Sequence, residues 1–415
     1  MLRGRCPGVF EPMPSGDGLL VRVKPPGARL DARAARRLAA EATRFGNGQI
    51  ELTSRAAIQV RGLRAADVHS FAASMVSTGL ADADPAVERR RTVIPSPLVG
   101  VDPMASVDAP FFTTAIEDLL ARDPRFARLP PKFCVSVDSG GVLPLGDVGA
   151  DIRVVFGDAQ HCVAASGAAA IGGKSNVLER VARLALSFLE LSARCSPSPR
   201  RMRGLTEAIG VWRLFAEAGL GGPVPFRSSL SSSGKGRGSP QPIGWIPYAN
   251  GNRGAFGFGL PFGATNAATL VHLAELSEQS GDGTLRVSPW RAFLVANVAA
   301  RDADWLREAG ANIGMLVDAE DPRLTVSACV GRPGCASASV DARADAAALA
   351  SEGLRAAVHV SGCAKGCAHP RTAEYMLVGE EGRYKLVRNG EAGDAPLRRE
   401  LTIEQAASVI RGEAP

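Results

Sequence analysis

Histidine and aromatic side chains are scarce in this chain: five histidines and 5% aromatics in 415 residues. The aromatic shortage removes the stacking platforms on which single-stranded nucleic acid is held, and no basic–aromatic block occurs. No nucleic-acid partner is therefore expected, despite a formal net charge of +6. No apolar run approaches the roughly 20 residues that span a bilayer, so no membrane partner is expected either. The opening MLRGRCPGVFEPMPSGDG has no apolar core of the secretory kind, which gives a cytoplasmic expectation. Eight cysteines are too few for a disulfide scaffold, and the cytoplasm would keep them reduced. A flavin or nicotinamide fingerprint between a strand and a helix is missing. GAAAIGGKS (167–175) nearly spells a phosphate loop, but Gly167 and Gly173 stand one residue too far apart. It reads instead as a turn opening a helix over 176–193.

What is present is a repeated pattern. GLLVRVK (18–24) alternates like a strand, residues 31–45 have helical periodicity with Asp31 as N-cap and Gly46 beyond, and 48–60 read as two short strands. GAFGFGLPFG (254–263), the helix predicted over 265–279 and the strands over 283–298 repeat that order. The offset is a constant 235, with Pro26 on Pro261, Leu38 on Leu273, Gly48 on Gly283 and Val60 on Val295. One register held over so long a stretch indicates internal duplication. Each copy is followed by a larger α/β segment, and SSLSSSGKGRGSP (228–240) reads as a flexible connector. The expected boundaries are 1–80, 81–227, a linker over 228–250, 251–310 and 311–415.

Cys6, Cys134, Cys162 and Cys195 are scattered, whereas Cys329, Cys335, Cys363 and Cys367 fall within 39 residues. Five residues separate the first pair, 27 follow, and three separate the second pair. Zinc ligand pairs are usually spaced more tightly than the first of these. Four thiolates suit a [4Fe–4S] cluster, and the flanking Gly331, Gly334, Gly362 and Gly366 let the backbone wrap closely. Zinc and inert thiols stay open as alternatives at this point.

The cysteine spacing within VSGCAKGCAHP (360–370) resembles the cluster motif of the sulfite/nitrite reductase superfamily. The resemblance runs over essentially the whole chain and implies an α+β fold. Two ferredoxin-like half-domains would be related by a pseudo-twofold, each followed by a larger α/β domain, with the cluster on Cys329, Cys335, Cys363 and Cys367. LTSRAAIQVRGL (52–63) is similar to the superfamily strand that faces a tetrapyrrole, which puts Arg55 and Gln59 there, with Arg61 nearby. RTVIPSP (91–97) puts Arg91 at an anion-binding arginine. LPPKFCVSVD (129–138) puts Lys132 at the first catalytic lysine, while Pro131 and Cys134 replace two further cations. Losing those cations weakens a siroheme-dependent reductase reading, because reduction of sulfite or nitrite draws on many protons and positive charges. Lys365 and His369 also depart from the common pattern. His369 is a candidate proton donor or ligand.

These departures, with RCPGVFEPMPSGDGLLVRV, PPKF and SGCAKGCAHP, resemble the branch of the superfamily acting in aerobic cobalamin biosynthesis. That resemblance implies an oxygen-dependent monooxygenase converting precorrin-3A to precorrin-3B by hydroxylation and lactone formation. Electrons would come from a separate NADH-linked donor through the cluster, and a mononuclear non-haem iron is implied without evident ligands. Arg55, Gln59, Arg61, Arg91 and Lys132 would then face a polycarboxylate macrocycle. The rivals are a siroheme-dependent sulfite or nitrite reductase and a non-catalytic iron–sulfur electron carrier.

Overall fold

The computed structural model describes residues 6–412 except 147, 158–159, 227–241, 250, 355 and 370–371. The predicted connector at 228–240 lies outside the described residues. Residues Gly244–Pro247, expected within the linker, are instead a strand paired with Arg253–Gly259. The Ser/Gly-rich composition ends at 240, and Trp245 and Ile246 supply apolar side chains that a solvated linker would not carry.

The repeat folds twice in one register. Helix Ala32–Phe45 begins where the Asp31 carboxylate accepts from Ala34 N–H, at 2.6 Å. Helix Ala267–Ser280 begins in the same way, with Asn266 accepting from Thr269 N–H at 2.9 Å. Each cap satisfies an amide that the helix itself leaves unpaired. The correspondence continues into helices Val68–Ser77 and Ala303–Asn312, beyond the stretch where the sequence register is obvious.

Each copy supplies four strands of an antiparallel sheet and takes the fifth from the other copy. Met13–Ser15, Gly18–Val23, Ile58–Leu63 and Gln49–Leu52 are completed by Ala264–Asn266. Gly244–Pro247, Arg253–Gly259, Ala292–Ala299 and Thr284–Val287 are completed by Arg29–Asp31. The two repeat helices pack on each other, and one core joins both copies through Leu38, Phe71, Phe256, Leu273 and Phe293.

Two mixed sheets flank this centre. One contains parallel strands Val93–Pro95, Val135–Asp138 and Ile152–Phe156, continued antiparallel by His161–Ala165 and Ala168–Gly172. Helices Ala109–Arg122 and Val177–Ala193 bury their apolar faces against it. The near-phosphate loop is therefore a hairpin strand and the short turn leading into the second of those helices. The other sheet runs Val326–Ala328, Val358–Ser361 and Ala373–Glu380 in parallel, then Arg383–Gly390 and Arg398–Leu401 antiparallel. Among the described residues no helix is long and apolar enough to cross a membrane.

Candidate active site

The cysteines lie where two adjacent parallel strands end. Val326 pairs with Val358 and Ala328 with Val360, so Cys329 and Cys363 leave the sheet from the same edge. Cys329 Sγ accepts the Gly362 N–H at 3.1 Å. A side chain at Gly362 would strike Ala338, and one at Gly331, where φ is +65°, would strike the Ala342 amide. The Cys367 thiol is pushed up by burial and then by the nearby thiols of Cys363, Cys329 and Cys335. The four sulfurs therefore share one electrostatic neighbourhood. Yet among the described residues no three His, Cys, Asp or Glu side chains close around a point that could hold a single metal ion. A tetrahedral zinc needs sulfurs about 2.3 Å from a common centre. Four thiols in one neighbourhood, served by a backbone N–H donor, fit a four-iron cluster better than a lone ion. Among the described residues the implied mononuclear iron finds no fitting set of ligands.

Arg61 corrects its sequence-based assignment. Its side chain is 3% exposed and clasped by Asp17, with Nε–Oδ2 at 2.9 Å and Nη2–Oδ1 at 3.0 Å. Nη2 also donates to Ser15 Oγ at 2.6 Å and to the Gly334 carbonyl, and Nη1 lies 3.6 Å from Glu51. Burial works against this charge, but Glu51, Asp17 and the Cys335 thiol together hold its pKa above the usual value. With its donors committed to the protein, Arg61 is a clamp on the Cys335 loop rather than a substrate ligand. Gln59 is committed too. Its Oε1 accepts from Arg22 Nη2 and its Nε2 donates to Glu51 Oε2, both at 2.8 Å.

A cleft opens beside this network, lined by Arg22, Lys24, Arg55, Arg89 and Arg91. Among the described residues the Arg55 side chain has no hydrogen-bond or ion-pair partner, which leaves its fork for a ligand. Arg91 pairs with Glu88 at 2.7 Å, approaches Glu117 at 3.7 Å and donates to the Lys24 carbonyl at 2.9 Å. Lys24 donates to the Glu88 carbonyl oxygen, and its ammonium lies 3.8 Å from that residue's carboxylate. Burial pushes Lys24 down to about 8, with Glu88 opposing and Arg91 adding to the shift. Burial also raises Glu117, against the pull of Arg91 and Lys24.

Lys132 is a second correction: it is exposed and outside the cleft lining. The turn that makes Phe133 N–H donate to Pro130 O buries Phe133 and Cys134 on either side of the chain and sends Lys132 to solvent. Pro131 and Cys134 line the cleft instead. The Cys134 thiol is raised by burial and donates to Gly149 O at 3.6 Å. His369 also lies outside the cleft lining, beside the cysteines, with Nε2 3.3 Å from Thr372 O. Its ring sits 5.5 Å from that of buried His359. Desolvation, then His369 and Arg291, push His359 down to about 3.

Sequence reasoning missed Arg22 and Lys24, although the duplication carries the signal. At the same register the second copy has Gly257 and Gly259 in their place, Trp290 for Arg55, Leu294 for Gln59 and Ala296 for Arg61. In that copy a side chain at Gly257 would meet Pro242 O at 1.8 Å, and one at Gly259 would meet Ile243 at 2.7 Å. The leading segment therefore lies flat on the second sheet. In the first copy Arg22 and Lys24 project between the sheet and residues 6–11, and the cleft is there.

Two interlocked ferredoxin-like half-domains, each followed by a mixed sheet, with four cysteines at the edge of the second, define a sulfite/nitrite reductase-like oxidoreductase. A family model, the nitrite/sulfite reductase ferredoxin-like half domain, matches residues 11–76 and 246–312. The fold is that of the Mycobacterium tuberculosis NirA protein, with a TM-score of 0.74 at 18% identity, covering 95% of this chain and 80% of that one. A ferredoxin–nitrite reductase of Leptolyngbya laminosa is 23% identical over 92% of this chain and 80% of its own length. A precorrin-3B synthase of a Sinorhizobium species is 34% identical over 95% of this chain and 85% of its own length. The chain belongs to the precorrin-3B synthase family.

Proposed function

We propose that the chain converts precorrin-3A to precorrin-3B in aerobic cobalamin biosynthesis. In this reaction the meso carbon between rings A and D is hydroxylated and the ring A acetate closes a lactone. One oxygen atom of O2 enters the product and the other leaves as water, consuming two electrons and two protons. The observation that carries this reading is the cleft lined by Arg22, Lys24, Arg55, Arg89 and Arg91, with Pro131 and Cys134 where a reductase keeps cations. A flat apolar ring edged with carboxylates matches this lining, since guanidinium forks bind carboxylates in pairs and keep their charge.

Arg55 would hold and orient a substrate carboxylate. Lys24, charged below about pH 8, would bind a second carboxylate and can release a proton. Glu117, raised by burial against the pull of Arg91 and Lys24, lines the same cleft. Cys329, Cys335, Cys363 and Cys367 would hold a [4Fe–4S] cluster, which supplies single electrons from a separate NADH-linked donor. The test is anaerobic binding of precorrin-3A followed by reductant and isotopically labelled oxygen. A product carrying one labelled oxygen is expected. Sulfite reduction with a tetrapyrrole absorption band, and no oxygenated product, would favour the reductase instead.

A further inference from the structure

The Gly334 carbonyl, one residue before Cys335, accepts from three groups of the first half-domain. These are Gly16 N–H at 3.1 Å, Ser15 Oγ at 2.6 Å and Arg61 Nη2. All three come from the first hairpin and the strand Ile58–Leu63 that pairs with it. The contact is close. A side chain at Gly16 would meet Pro333 O at 2.4 Å and Ala336 N at 2.9 Å, and one at Gly334 would meet Arg61 at 3.2 Å. The hairpin tip therefore sits directly on residues 333–336. The charges beneath it balance. Asp17 and Glu51 face Arg61, and Arg343, from the helix Ala342–Ser351 that follows the loop, pairs with Glu51 at 2.5 Å. The same Glu51 holds Gln59, which holds Arg22 in the cleft.

We infer that Arg61 is a positioning residue that fixes the Cys335 loop in ligand geometry and sets the charge felt by the iron–sulfur group bound there. The inference rests on the reading of the four cysteines as cluster ligands. Two consequences follow from elementary electrostatics. A buried cation beside a thiolate ligand favours the reduced, more negative cluster, so it raises the reduction potential. A carbonyl held by three donors leaves the following residue little freedom, so the loop is ordered before iron arrives.

The full-length chain tests both. Midpoint potentials are read on the cluster-loaded protein, and hydrogen exchange of residues 330–338 on the metal-free protein. Arg61→Gln leaves Asp17 uncompensated. It is expected to lower the potential and to speed exchange by about tenfold, the scale of losing a charged hydrogen bond. Arg61→Lys keeps the charge without the fork, so the potential stays near wild type while exchange quickens. Asp17→Asn removes a negative charge and should raise the potential although it too loosens the loop. That opposite sign separates charge from disorder. An Arg61→Gln protein with a full cluster, unchanged potential and unchanged exchange overturns the inference. Wild-type protein that binds no iron or acid-labile sulfide overturns the cluster reading and the charge role with it, and exchange alone then decides the anchoring role.

Discussion

Lys24 is the residue on which the cleft's chemistry turns most sharply with pH. Its ammonium faces Glu88 and Glu117 from the two helices above it and Arg22 and Arg91 beside it, and burial brings it to about 8. Carboxylate binding is therefore expected to weaken as pH rises through about 8, because the ligand's partner loses its charge. Lys24→Met should bind precorrin-3A about tenfold more weakly below that pH, the worth of one charge-assisted hydrogen bond. It should also lose the pH dependence, which titration calorimetry across pH 7–9 can check. The stability effect has the opposite sense. Between about 8 and the unfolded value near 10.4 the unfolded chain holds the extra proton, so Lys24 makes the fold more stable as pH rises there. Lys24→Met should flatten that slope in denaturant titrations. At this scale the sequence was readable where chemistry is tied to residue type. Four cysteines have few uses, and the resemblance put Arg55 and Arg91 at the cleft. It was unreadable where neighbours decide. Arg61 looks like any cleft arginine until Asp17 and Gly334 are seen to occupy it.

The two copies of the repeat form an internal control. Elements fall at one offset, and the helix caps, turns and left-handed residues coincide, as in Ala56 with φ 50° and Arg291 with φ 60°. What differs is the strand facing the cleft, charged in one copy and glycine in the other. This contrast gives a paired expectation. Gly257→Ala would put a methyl group into the Pro242 carbonyl and should cost about 1–3 kcal/mol of stability with little effect on substrate affinity. Arg22→Ala meets no such wall. It should weaken substrate binding while costing no more than about 1 kcal/mol, since it frees only the Gln59 carbonyl and the Cys6 contact. Chemical denaturation and binding measured on both variants check the crossover. The duplication was legible because glycines, prolines and leucines that set turns and cores recur in register. The cleft was not, because it depends on where the copies disagree.

For the whole molecule the decisive feature is the exchange of strands between copies. Ala264–Asn266 completes the sheet of the first copy along Gln49–Glu51, and Arg29–Asp31 completes the second along Thr284–Arg286. Each exchanged strand leads straight into the helix of its own copy, and those helices pack together in the shared core. No sequence pattern announced this, since three-residue strands carry too little periodicity to show partners as far away as Glu51 is from Ala264 or Arg29 from Arg286. A half expressed alone would expose an unpaired sheet edge and the apolar face of its repeat helix, a combination that favours aggregation over folding. Fragments 1–226 and 242–415 are therefore expected to be insoluble or unfolded when made separately, and to assemble into one particle when made together. Size-exclusion chromatography and circular dichroism of the separate and co-expressed fragments read this directly. Independent, monomeric folding of either fragment would show that the exchanged strands are dispensable. The hairpin's grip on the Cys335 loop would then be a contact between separable domains. If the fragments fold only together, the loop is ordered only in the assembled chain, and iron loading of the co-expressed pair should match the intact protein while the second fragment alone takes up little.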